Sequence, residues 1–148
     1  MDMDTELATR DLATLGFRGQ DVYLAELIPA VEMAWADGEI QPNERAMLEA
    51  YCEALTEKLN EEAGANVFTL RRALALLELL LRRRLHPAER YRALRALATL
   101  AGGGPAGQRR RKRMLEWAEA VAAVAGRPVW DSRELFWLQA MRRTFGET

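Results

Sequence analysis

Apolar positions recur at three- and four-residue spacing along nearly the whole chain, and no run alternates with the two-residue period of a strand. The pattern predicts an all-α bundle of about six or seven helices. A short amphipathic segment covers 4–15, with Leu7, Leu12 and Leu15 on one side, and residues 1–18 read as an N-terminal extension. Gly16 and Gly19 bracket a turn before a helix over 20–36, which Pro29 must kink or split because it removes an N–H and crowds the preceding turn. Pro42 suits the first turn of the next helix, which ends before Gly64. Gln41 is a mediocre N-cap, so the reading assigns Asp37 to help fix that turn.

Asn66 can cap a helix over 67–85. Its Leu-Ala-Leu-Leu-Glu-Leu-Leu-Leu core is apolar almost all round, so the pattern predicts this helix to be the most buried. His86-Pro87 breaks it, and Pro87 opens a helix through Leu100. Residues 102–107 (Gly-Gly-Gly-Pro-Ala-Gly) read as a loop leading to a C-terminal hairpin of helices over 110–125 and 132–145. Trp117, Trp130, Phe136 and Trp137 on that hairpin need the rest of the chain to bury against, so residues 1–148 form a single domain.

Length supports this, since 148 residues with 49% hydrophobic content can bury a substantial core. No apolar stretch approaches a membrane span; the longest, 73–81, is interrupted by Glu78. The single cysteine, Cys52, excludes an internal disulfide. With an acidic start unlike a signal peptide, it makes the cytoplasm the expected location.

The net charge of −1 hides a strong asymmetry: residues 1–66 sum to −11 and residues 67–148 to +10. The halves can pair across a common seam, or a basic face centred on Arg109, Arg110, Arg111, Lys112 and Arg113 can meet an anionic partner. Five cations at the start of a helix oppose its dipole, which invites the second reading. Under it, reversing Arg110, Arg111 and Arg113 should leave stability almost unchanged, because exposed pairs are worth only about 0–1 kcal/mol. A protein partner or an anionic membrane surface fits. Nucleic acid is disfavoured, for no aromatic interleaves the run and no known motif accompanies it.

One segment carries a family likeness. Val31-Glu32-Met33-Ala34-Trp35-Ala36-Asp37-Gly38-Glu39-Ile40-Gln41-Pro42-Asn43-Glu44 joins an apolar helix, an Asp-Gly-Glu-Ile turn and a Pro-x-Glu helix start. It resembles the TerB-like family of all-helical bundles. A second, far-end hairpin of that type is degraded here to Ala125-Gly126-Arg127-Pro128-Val129-Trp130-Asp131-Ser132-Arg133-Glu134, which keeps the cap and the Glu but has lost Asp-Gly. The resemblance implies a non-enzymatic bacterial interaction module, linked to tellurite resistance and stress response, that docks a protein or a membrane-associated complex.

Chemistry is sparse. His86, Cys52 and Ser132 are each the sole residue of their type, and none sits beside a partner that would make it a nucleophile. Asp37, Glu39 and Glu44 crowd one interhelical turn, and their all-oxygen chemistry would suit Mg2+ or Ca2+. Capping and dipole complementation account for the same carboxylates. An EF-hand is excluded because Ile40, Gln41 and Pro42 break the alternation of oxygen ligands.

Overall fold

The computed structural model describes residues 2–36, 38–124 and 132–146. Among them the chain forms seven α-helices and one 3-10 segment, with no strand. The helices are α1 (Met3–Thr14), α2 (Ile28–Trp35), α3 (Pro42–Ala63), α4 (Leu70–Arg82), α5 (Pro87–Ala101), α6 (Gly104–Val124) and α7 (Ser132–Thr144). The 3-10 segment spans Gly19–Leu27.

The centre of the bundle is α2, not α4. Every residue from Ile28 to Ala34 is buried, and α2 touches α3, α4, α5, α6 and α7. Pro29 makes this possible by its position. The stretch expected to be one kinked helix is instead divided: a 3-10 segment ends at Leu27, and Pro29 falls in the first turn of α2, where its missing N–H costs nothing. Trp35 and Trp137 then clamp the helix through their indole N–H groups. Trp35 Nε1 donates to the Leu80 carbonyl at the end of α4 (3.1 Å), and Trp137 Nε1 donates to the Pro29 carbonyl (3.0 Å).

The leucine-rich α4 is an outer helix. It buries Ala73, Leu76, Leu77 and Leu80, while Leu70 and Leu79 are 39% and 49% exposed. Three or four residues per two turns suffice to dock one face, and the remaining leucines face water. The helix is also shorter than 67–85. Thr69 caps it by accepting from Arg72 N (3.1 Å), and Asn60 on α3 occupies the preceding link, accepting from Val67 N and Phe68 N (2.9 and 2.8 Å). Asn66 therefore does not cap it.

The N-terminal extension is docked on the bundle: α1 packs along α5, and Ala8, Leu12 and Phe17 are buried in the core. The glycine-rich stretch 102–107 is also less of a loop than expected: α6 begins at Gly104, leaving only Gly102 and Gly103 as the link. Gly107 explains the tight start. A Cβ there would collide with the Gly102 carbonyl oxygen and lie 2.7 Å from its carbon. The turn of the C-terminal hairpin, with Trp130 and the Asp131 cap, lies outside the described residues.

These glycines give a ranked test. Gly38 has φ +90°, so Gly38→Ala should cost about 1 kcal/mol. Gly107→Ala should cost about 1–3 kcal/mol by forcing α5 and α6 apart. Gly103→Ala meets open space and should change little. Urea midpoints that fail to fall in this order would show that the two turns are held differently.

Candidate functional site

The basic run lies in the second and third turns of α6, not at its start as expected, so the helix dipole bears little on it, and helical geometry divides the run. Arg110 and Arg113 are three apart and point to the same side. Arg113 is 14% exposed and grips Glu26 with two hydrogen bonds, from Nε at 3.0 Å and from Nη2 at 2.9 Å. Its Nη1 also reaches Glu62 (3.4 Å), and Arg110 Nε lies 3.8 Å from the other oxygen of Glu62. Glu26 is almost fully buried, which pushes its carboxyl up to about 7 against the pull of Arg113. The Tyr51 hydroxyl donates to the Glu26 backbone carbonyl (3.0 Å), and its ring stacks on Trp117 on α6. This side of α6 is thus fastened to the 3-10 segment and α3.

Arg111 points elsewhere. Its guanidinium donates to the carbonyls of Ala98 (3.3 Å) and Gly102, which the end of α5 leaves without helical partners. Only Arg109 and Lys112 of the five are exposed. With Arg111, Gln108 and Phe145 they line an open depression of about 540 Å³ between α6 and the end of α7.

The expectation that Arg110, Arg111 and Arg113 can be reversed at little cost is therefore corrected. Arg110 and Arg113 face carboxylates supplied by the acidic half of the chain, and Arg111 is engaged by backbone carbonyls at the end of α5. The same seam carries Asp21 with Arg72 (2.5 Å) and Glu32 with Arg90 (3.7 Å). Part of the charge asymmetry is thus met inside the molecule.

The acidic turn is likewise divided. Glu44 is fully buried at the third position of α3, and one of its oxygens accepts from the Gln41 N–H (2.9 Å). This is the reciprocal arm of a capping box, and it gives Gln41 a better start than its own side chain suggests. Glu39 is exposed, and Asp37 lies outside the described residues. Among the described residues, no group of three or more His, Cys, Asp or Glu is placed to hold a metal ion. Cys52 is enclosed between α3 and α4, and burial pushes its thiol up to about 12, so it packs rather than reacts.

The sequence reading missed Glu26 as a site residue and named Glu32 only within the family-like segment 31–44. Both sit inside the apolar run 24–35, where an ionisable residue signals a buried pair. No protein-family model matches the chain, and no curated protein or solved structure is significantly similar to it. Among the described residues, no helix is long and apolar enough to cross a membrane.

Proposed function

We propose that this protein is a non-enzymatic interaction module of the TerB-like kind, working in the bacterial cytoplasm and docking an acidic protein face, alone or within a membrane-associated complex, in a stress response. The observation that carries the reading is the division of the basic run. Arg110, Arg111 and Arg113 are half-buried against the fold, whereas Arg109 and Lys112 are exposed on one face beside Phe145. Two exposed cations on one face suit an acidic protein surface, with strong salt dependence because exposed charges are screened. The turn from Gly38 to Glu44 has the positive φ and the Glu-capped helix start that the family likeness calls for. This reading takes precedence over a Mg2+ or Ca2+ role for Asp37, Glu39 and Glu44, because Glu44 is closed off and engaged by the Gln41 N–H.

The test is capture from the native cell at low and high ionic strength. A partner recovered by the wild type should be lost with Arg109→Glu/Lys112→Glu and kept with Arg142→Glu/Arg143→Glu, all three proteins having unfolding free energies in urea that agree to about 1 kcal/mol. If the first double variant keeps every partner, this face is not the docking surface.

A further inference from the structure

A second concavity, of about 470 Å³, opens between α1, the 3-10 segment, α5 and α6. That volume falls in the ordinary range of small-molecule sites. Its apolar floor comes from Val22, Leu97, Leu100 and Met114, and Arg110 and Glu26 stand in its wall. The two charged groups differ in how far they are satisfied. Both Glu26 oxygens are taken by Arg113, so its charge is covered. Arg110 Nε is buried without a hydrogen-bond acceptor: the nearest carboxylate oxygen, Glu62 Oε1, stands 3.8 Å away, and the other Glu62 oxygen is engaged by Arg113.

We propose that this cleft binds a small amphipathic monocarboxylate, its carboxylate received by Arg110 and its hydrocarbon body lying on Leu97, Leu100 and Met114. A single guanidinium matches one negative charge and offers planar, paired N–H donors to a carboxylate. A dianion such as phosphate would bring a second charge against Glu26 with no second cation to meet it. The apolar floor explains why the body should be hydrocarbon: burying it there removes apolar surface on both sides from water.

The probe is decanoate, with decanol as the uncharged counterpart, titrated into the full chain below the concentration at which decanoate forms micelles. Saturable binding of decanoate is expected, with methyl NMR shifts confined to Val22, Leu97, Leu100 and Met114, and with decanol at least about tenfold weaker. Arg110→Gln should weaken decanoate by about the same factor and leave decanol unchanged, while Arg110→Lys should restore part of the affinity. Leu100→Trp, which fills the cleft and keeps Arg110, should block both probes, and it decides the matter if Arg110→Gln fails to fold. No saturable binding, equal affinity for decanol, indifference to Arg110→Gln or to Leu100→Trp, or shifts centred on surface residues such as Leu79 and Phe136 would each overturn the proposal.

Discussion

Arg113→Met should destabilise the protein by about 3–5 kcal/mol, the largest loss expected from any single change in the basic run. The reason lies in what is left behind. Without Arg113, Glu26 keeps its burial but loses both hydrogen bonds and its nearest positive charge. Glu62 loses one partner as well, at a more exposed position where the effect is small. Adding Glu26→Leu to Arg113→Met should recover most of the loss, because a buried ion pair and an apolar pair of similar volume are close in free energy. Urea unfolding of the two single variants and the double variant gives the coupling directly. Additive losses would mean that Glu26 and Arg113 act independently of each other.

The same geometry predicts that reversing Arg110, Arg111 and Arg113 together costs far more than reversing Arg109 and Lys112. Five consecutive cations look equivalent in the sequence. Folding separates them, because a turn of 100° per residue sends neighbours to different surroundings, and only tertiary structure decides which surroundings hold carboxylates. Local signals were legible by contrast. Pro42 and Gly64 mark the start and end of α3 because proline geometry and the glycine stop act within a few residues. The all-α class was legible for the same reason, through spacing alone.

The order of burial was not legible. The leucines of α4 suggested a central helix, yet hydrophobicity says only that a side chain can be buried. What places α2 at the centre is the closure of α6 and α7 over it, with Trp137 donating to the Pro29 carbonyl across more than a hundred residues of chain. The acidic turn was half legible. Proline and glutamate announced a helix start, but the burial of Glu44, which sets it apart from exposed Glu39, depends on that packing.

Stability should fall as pH rises from about 4.5 to about 7, the reverse of the usual carboxylate behaviour. Glu32 on α2 is 1% exposed, with Arg90 Nε 3.7 Å from one of its oxygens. Burial pushes its carboxyl from 4.5 to about 7, outweighing the attraction of Arg90, the Leu85 backbone N–H and Arg84. The folded state therefore holds a proton that the unfolded state has released across that window, so the slope of stability with pH is negative. At about 1.4 kcal/mol per pH unit, ionising this group in place costs on the order of 3 kcal/mol. Glu26 shifts in the same direction for the same cause. Below 4.5 the sign changes: hydrogen bonds from Arg83 and the His86 N–H hold Glu89 down to about 2, so its contribution is lost as pH falls through that range. Stability should thus peak near the ordinary glutamate value. Glu32→Gln imitates the protonated form. It should match the wild type near pH 4.5 and exceed it by about 2–3 kcal/mol at about pH 8, with Arg90 retained over the Trp137 ring at 5.7 Å. Urea midpoints of both proteins across this range provide the measurement. A wild-type midpoint that rises from pH 4.5 to 7, or a constant gap between the two proteins, would show that Glu32 is ionised in the fold at no cost.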